Sequence, residues 1–340
     1  MKEIETIHAV GHVLCHDLTR IVPGEMKDAQ FRKGHVITKE DIPMLLSMGK
    51  EHLFVWEADE TMLHEDEAAA RLAALCENEG MRRGPVKEGK IELYAERDGL
   101  FVVDVARLDR LNMENDIMVA TRHGYTAVKA GDKLCGTRVI PLVIEKARIE
   151  AAERLVGEEP LLALKPFVIR TAAVVATGSE IQKGLIEDKF TPVVEAKLAG
   201  FGVDVMAVYR PGDERAAIVG AIHAAHESGA EMILCTGGMS VDPDDRTPAA
   251  IKASGANIIS YGAPVLPGAM FLMSYLEDGT PLVGLPGCVM YARASIFDIV
   301  LPRLLAREPV TKAALCRLGQ GGLCLGCETC TYPNCGFGKG

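Results

Sequence analysis

Residues 235–247 read C-T-G-G-M-S-V-D-P-D-D-R-T. A glycine pair closes the apolar run that begins at Met232, three aspartates follow, and Thr247-Pro248 opens a helix. A backbone carrying Gly237 and Gly238 can press its amides against an oxyanion. Asp242, Asp244 and Asp245 bring hard oxygen donors suited to a divalent cation. Loop, phosphate and metal together point to nucleotide-like or phosphorylated-cofactor chemistry.

Outward from this loop the chain alternates strand and helix. Residues 168–176 read as a buried strand, Thr191-Pro192 opens a helix that Gly200 closes, and 203–209 form the next strand. A helix over 214–228, capped by Asp213 and ended by Gly229, leads to the strand at 232–235, and a helix over 248–254 follows the loop. Residues 270–276 and 281–285 flank Asp278-Gly279 as a hairpin, and a helix over 289–305 packs back on the sheet. Such alternation predicts an α/β fold over residues 161–310, a three-layer, mainly parallel sheet flanked by helices, with ligands beyond the carboxyl ends of its strands. Three glycine-bearing turns follow three of these strands, at Thr177-Gly178-Ser179-Glu180, at Thr236-Gly237-Gly238 and at Gly284-Leu285-Pro286-Gly287.

Residues 1–160 read as a smaller α+β region of one or two subdomains. Thr38-x-x-Asp41 resembles a capping box opening a helix over 42–48, and an amphipathic helix spans 65–79. Strand signals fall at 91–95, 100–105, 117–120 and 139–143. A charged helix over 145–159 and the prolines at 160 and 166 mark the hand-over to the α/β domain.

At 340 residues the chain is expected to form two or three domains. Its 48% apolar share suffices for cores, and no run approaches the roughly 18 apolar residues of a membrane span. The opening residues lack the apolar stretch of a secretory signal, so the expectation is a cytoplasmic protein without membrane contact. A net charge of −10 makes nucleic acid an unfavourable partner, although Arg170, Lys183, Lys189, Arg210 and Arg246 offer local anion contacts. The nine histidines show no metal-ligand spacing, and His223 and His226 read as a helix surface.

Ten cysteines are unevenly placed, five of them after residue 315. Cys324-x2-Cys327-x2-Cys330-x4-Cys335 puts four thiols within twelve positions, and residues 311–340 are expected to form a metal-binding tail stapled by one tetrahedral Zn²⁺ or one [4Fe-4S] cluster. The first three cysteines follow the bacterial ferredoxin run, but the spacing to the fourth is longer by one and no proline follows; both metals stay open, beside the plainer reading of a reduced tail. Asp213 reads equally well as a helix cap and as a ligand. Asp188 is either a turn residue or, with Lys189, a ligand contact. Asp245, two residues before the expected Thr247 cap, is not needed for capping and is the favoured functional aspartate.

Residues 168–305 resemble the molybdopterin-binding domain shared by molybdopterin adenylyltransferases and molybdopterin molybdotransferases. Residues 176–180, A-T-G-S-E, are similar to the TG-[DN]-E segment of the molybdotransferases, with Ser179 replacing the acid or amide. Gly184-x-x-x-Asp188-Lys189 and Pro211-Gly212-Asp213-Glu214 look like adenylyltransferase segments, and residues 236–248 look like the T-G-G-x-[SG]…D-x-T-P stretch of both groups. Leu266-Pro267-Gly268 and Gly284-Leu285-Pro286-Gly287 are similar to the molybdotransferase P-G and G-L-P-G-N-P elements, with Cys288-Val289 in place of Asn-Pro. Val10-Gly11-x-x-Leu14-x-x-Asp17 also has counterparts in molybdotransferases, whereas the cysteine tail belongs to neither enzyme.

The resemblance implies a protein that binds molybdopterin with Mg²⁺ and assists adenylyl or molybdate transfer, so ATP or molybdate would be the second substrate. It implies that Asp245, helped by Asp213 and Glu180, positions the cation. Thr177, Gly178, Ser179, Asp188, Thr236, Gly237, Gly238, Ser240, Asp242, Pro286 and Gly287 would contact the cofactor. Homo-oligomerisation is expected by family analogy. The departures at Ser179 and Cys288 favour a second reading, a carrier or sensor of the molybdenum cofactor without turnover. A third is an iron–sulfur electron carrier with a vestigial pterin domain.

Overall fold

The computed structural model describes residues 2–22, 26–55, 59–243 and 245–339; for residues 20–22 and 26–29 it describes the backbone alone. Asp244 therefore lies outside the described residues. The chain divides into two compact units, one of residues 1–97, 101–124 and 129–164, the other of residues 98–100, 125–128 and 165–340.

In the first unit the expected helices form as α1 (Asp41–Ser47) and α2 (Glu65–Cys76). The Thr38 amide and hydroxyl donate to the Asp41 carboxylate at 2.8 and 2.9 Å, but Asp41 is itself the first helical residue, one position earlier than expected. Helix α2 starts at His64, whose Nδ1 accepts from the Asp66 amide at 3.2 Å while the Glu67 carboxylate accepts from the His64 amide. Ala68, Ala69, Leu72, Ala73 and Cys76 give α2 one buried stripe at helical spacing.

That stripe faces an antiparallel sheet of β1 (Met81–Arg83), β2 (Lys90–Ala95), β3 (Ile117–Thr121) and β4 (Lys133–Val139), in the order β1-β2-β4-β3. The expected strand over 139–143 is a correction. β4 ends at Val139 and a separate strand covers Val143–Glu145, because Pro141 between them has no amide for a ladder. Helices α3 (Val105–Asn112) and α4 (Lys146–Val156) also belong to this unit.

The second unit begins with β5 (Thr171–Ala176), a short α5 (Ser179–Gln182), α6 (Phe190–Ala199), β6 (Asp204–Tyr209), α7 (Arg215–Glu227), β7 (Ile233–Thr236) and α8 (Thr247–Ala253). The hairpin and its flanks follow as β8 (Asn257–Tyr261), β9 (Leu272–Tyr275), β10 (Pro281–Leu285), α9 (Ile296–Leu305) and α10 (Lys312–Arg317). The six strands lie in the order β6-β5-β7-β10-β9-β8. β6, β5, β7 and β10 run parallel, and β9 is antiparallel to both its neighbours.

The chain leaves β5 toward β6 on one side, then crosses back over β5 to reach β7 on the other. Right-handed crossovers in opposite directions put α6 and α7 on opposite faces of the sheet. Burial agrees: Ala173 and Val175 pack with Ile218 and Ile222 of α7 and Ala250 and Ile251 of α8, while Ala172, Val174 and Ala176 are equally buried on the other face. The result is a three-layer α/β domain whose strand order switches between β5 and β7.

Two of the boundaries that differ from expectation are helix starts. The helix expected over 289–305 is a 3-10 turn, Gly287–Met290, followed by α9 from Ile296. A capping box sets that start, since the Ser295 side chain accepts from the Phe297 amide and the Asp298 carboxylate from the Ser295 amide at 2.8 Å. Helix α7 begins at Arg215 with Glu214 as N-cap, so Asp213 does not cap it.

Candidate functional site

Ligands of open α/β sheets bind beyond the carboxyl ends of the strands where the strand order switches. Here that crevice lies between the loops after β5 and β7, which are interlocked. Thr177, buried, donates its amide and its hydroxyl to the Thr236 carbonyl at 2.8 and 3.0 Å. Thr247 donates its hydroxyl to the Gly237 carbonyl at 2.8 Å and its amide to the Gly238 carbonyl at 3.2 Å. Thr247 is thus the first residue of α8 and a tie across the loop, not the expected cap, a position taken by Arg246.

Both loop glycines are left-handed, Gly237 at φ +81° and Gly238 at φ +55°. A Cβ on Gly237 would sit 2.4 Å from the Thr177 carbonyl oxygen, so no other residue fits the close approach. Among the described residues the Gly237 and Gly238 amides meet no acceptor.

A third loop joins them. The Asp213 carboxylate accepts from the Ser179 amide at 2.9 Å, and the Asp213 amide donates to the Ser179 hydroxyl at 3.4 Å. Asp213 therefore orients the loop after β5. Glu180 beside it is exposed. In the loop after β7 the Asp242 amide donates to Asp245 Oδ2 at 3.2 Å and the Asp245 amide to the Asp242 carbonyl at 2.9 Å, which holds both carboxylates on one turn. Ser240 and Asp242 are exposed and Asp245 is half-buried.

Asp188 is committed elsewhere. Its carboxylate accepts from the amides of Phe190 and Thr191 and from the Thr191 hydroxyl, at 3.1, 3.0 and 2.6 Å, and so caps α6. Burial alone would raise its pKa, but these hydrogen bonds and Arg210 hold it below the ordinary value. Pro286 is buried after β10, and Gly287 is exposed with nothing within 4 Å of a Cβ added to it.

Tyr261, at the end of β8, was not singled out from the sequence. Its hydroxyl donates to the Met239 carbonyl at 2.9 Å, bracing the loop, and burial with the nearby Asp245 charge raises its pKa. No spacing in the sequence ties this lone tyrosine to a loop more than twenty residues earlier. Burial also pushes the Cys235 thiol up to about 12 and raises Cys288, so neither is poised as a thiolate.

The cysteine tail departs from expectation. Among the described residues no group of three or more His, Cys, Asp or Glu side chains is placed to hold one ion. Cys324 and Cys335 are half-buried, while Cys327 and Cys330 are exposed. Backbone bonds order the tail instead, from Leu266 to Gly322 and from Cys324 to Leu266, both 2.8 Å. The Tyr332 hydroxyl adds a bond to the Asp298 carbonyl at 2.9 Å. The thiols as arranged do not fit a single Zn²⁺ or a [4Fe-4S] cluster.

The architecture is an open, three-layer α/β domain with its switch point between β5 and β7. Residues 173–306 match the model of a probable molybdopterin binding domain. Residues 3–57 match a second model, described only as a domain of unknown function. The chain is similar to the molybdenum cofactor biosynthesis bifunctional protein of Synechococcus elongatus, 34% identical over 85 residues. That match takes in 25% of this chain and spans only 27% of the relative. Among solved structures it is similar to the molybdopterin biosynthesis enzyme MoaB of Thermus thermophilus, at 21% identity and TM-score 0.34, over 42% of this chain and 99% of that one. It is also similar to the molybdopterin biosynthesis MoeA protein of Pyrococcus horikoshii, at 15% identity and TM-score 0.34, over 72% of this chain and 80% of that one. Among the described residues no helix is long and apolar enough to cross a membrane.

Proposed function

We propose that the chain binds molybdopterin at the rim between β5 and β7 and acts in molybdenum cofactor assembly, assisting adenylyl or molybdate transfer to the bound pterin dithiolene. The observation that carries this reading is the interlocked glycine crevice at the switch point, inside the residues matched to the molybdopterin-binding model. The Gly237 and Gly238 amides, with the exposed Ser240 hydroxyl, receive the phosphate. Thr177, Thr236 and Thr247 keep those amides in place.

Mg²⁺ takes one or two protein carboxylates and fills its shell with water and substrate phosphate. Asp242 and Asp245 fit that requirement, with Asp245 the residue holding the cation toward the reacting phosphate or molybdate oxygens. When bound, the ion supplies neutralisation of the charge that develops there. Asp213 positions Ser179 through its amide, and no covalent nucleophile is needed. The cysteine tail has no part in this reading.

The test uses protein from a host able to make molybdopterin. Bound ligand is oxidised to its fluorescent pterin products, and turnover is assayed with Mg-ATP and molybdate. The expected result is pterin in the wild type, its loss in Gly237→Val, and retained pterin with lost turnover in Asp245→Asn. A folded wild type without pterin would sink the reading. Pterin without turnover would reduce the protein to a carrier.

A further inference from the structure

The outward face of the first unit's sheet holds a groove of about 410 Å³. Strand alternation builds it. β2 turns Ile91, Leu93 and Ala95 inward and leaves Lys90 and Glu92 outside; β3 exposes Met118 and Ala120; β4 exposes Arg138 beyond Gly136. The register puts Ala120, Gly136 and Glu92 in one cross-strand row and Met118, Arg138 and Lys90 in the next. Two of the smallest side chains thus make a trough, and long ones make its walls.

The walls are cationic in a chain of net charge −10. Lys90, Arg122, Lys133 and Arg138 line the groove against one carboxylate, Glu92. Glu92 Oε1 takes both Lys90 and Lys133 at 2.8 Å, and Oε2 takes the Tyr94 hydroxyl at 2.6 Å, so Glu92 spaces two ammonium groups and has little left to repel an anion. These bonds, from Lys133 first, then Lys90 and Tyr94, hold its pKa at about 2, so the post stays charged. Arg122 shares Asp132 at 2.7 Å, whereas Arg138 makes no ion pair among the described residues.

A partner strand is a poor occupant, because the Asn112 side chain occupies the β3 edge by bonding the carbonyl and amide of Val119 at 2.9 and 2.8 Å. The volume instead falls in the range of small-molecule sites, about 300–1,000 Å³, which pair an apolar floor with a few polar anchors. We propose that this groove binds a small phosphorylated molecule with a flat apolar body, the body over Ala120, Gly136 and Met118 and the phosphate between Arg138 and Lys90. A guanidinium beside an ammonium suits a phosphate dianion better than a single carboxylate.

Gly136 provides a clean test. Its φ is not in the left-handed region, and an added Cβ would find only Glu92 Cγ at 3.9 Å and the Ile91 carbonyl at 4.0 Å. Gly136→Val therefore folds, being a better strand former, and fills the trough. The full chain is titrated calorimetrically with AMP, adenosine and inorganic phosphate. AMP is expected to bind at least about tenfold more tightly than either half alone, to weaken as salt rises, and to weaken at least about tenfold in Gly136→Val and in Arg138→Gln. No binding of AMP to the wild type would overturn the proposal. So would an affinity that Gly136→Val leaves unchanged, which would place the nucleotide elsewhere, or phosphate binding as tightly as AMP, which would remove the apolar body.

Discussion

The hydroxyl oxygens of Thr177 and Thr247 lie 3.1 Å apart, both buried, although the residues are 70 positions apart. With one proton each they serve three short contacts, to each other and to the carbonyls of Thr236 and Gly237. This knot locks the two glycine loops of the rim into one piece. Thr247→Val keeps the shape and removes the donor, leaving the Gly237 carbonyl unsatisfied. The expected cost is about 1–3 kcal/mol in urea unfolding with an unchanged slope, together with loss of bound pterin. Thr247→Ser, which keeps the hydroxyl, should retain the pterin; equal loss in both variants would mean that the methyl and not the proton matters.

Two glycines of the rim should differ in how badly they tolerate a methyl group. Gly178 sits at φ +140° with its nearest would-be Cβ neighbour, Ile181 Cδ1, at 3.7 Å, so Gly178→Ala carries backbone strain alone, of about 1–3 kcal/mol. Gly237→Ala adds overlap with Thr177, 2.4 Å from its carbonyl oxygen and 2.8 Å from its hydroxyl. Backbone cannot step aside as a side-chain end can. Gly237→Ala should therefore be the more destabilising of the two by denaturant midpoint, and equal costs would show that the loop after β5 yields.

The α/β architecture was legible because the physics behind it is local. Residues 172–176 are an unbroken apolar run, which only a strand buried on both faces needs, and glycines follow where the chain must turn sharply at strand ends. Element ends were read less well where a single residue decides: Pro141 broke an apolar run into two strands, and Ser295 with Asp298 moved the start of α9. The roles of the rim side chains were least legible. Asp213 has the local grammar of a helix cap, yet its partner is an amide 34 residues earlier. Asp188 read as a turn residue or a ligand contact, and its carboxylate accepts from the first amides of α6. Four cysteines at ligand spacing state nothing about the directions in which their side chains leave a tail already held to Leu266 by its backbone and to the Asp298 carbonyl by the Tyr332 hydroxyl.

Acid should weaken the first unit through His64 and His16. His64 is 2% exposed, its Nδ1 2.8 Å from the Lys33 ammonium and its Nε2 2.6 Å from the Cys15 carbonyl. Burial, reinforced by Lys33 against the pull of the Cys15 carbonyl, lowers its pKa from the ordinary 6.5. Burial likewise lowers His16. Each binds a proton less readily in the fold than in the unfolded chain, so their contribution is intact above pH 6.5 and is lost as pH falls below it, with a slope of up to about 1.4 kcal/mol per pH unit for each. His64→Asn keeps an acceptor for the Asp66 amide and removes one titration. Its stability between pH 7 and pH 5 should fall less steeply than that of the wild type; parallel curves would mean that His64 is protonated in the fold.

Asp213 and Asp245 should separate as a positioning residue and a cation ligand. Asp213 accepts one hydrogen bond, from the Ser179 amide at 2.9 Å, and an asparagine oxygen can accept the same bond. Asp213→Asn should therefore keep both bound pterin and Mg²⁺-dependent turnover within a few-fold of wild type, whereas Asp213→Ala frees the Ser179 loop and weakens the binding of the pterin. Asp245→Asn also preserves the hydrogen bond from the Asp242 amide but loses the charge a cation needs. Turnover should fall by about a hundredfold or more at unchanged stability, as when a charge that stabilises a transition state is removed, and higher Mg²⁺ should restore part of it. If Asp213→Asn fell as far as Asp245→Asn and responded to Mg²⁺ in the same way, both carboxylates would have to touch the cation, and the hydrogen bond to Ser179 would belong only to the resting loop.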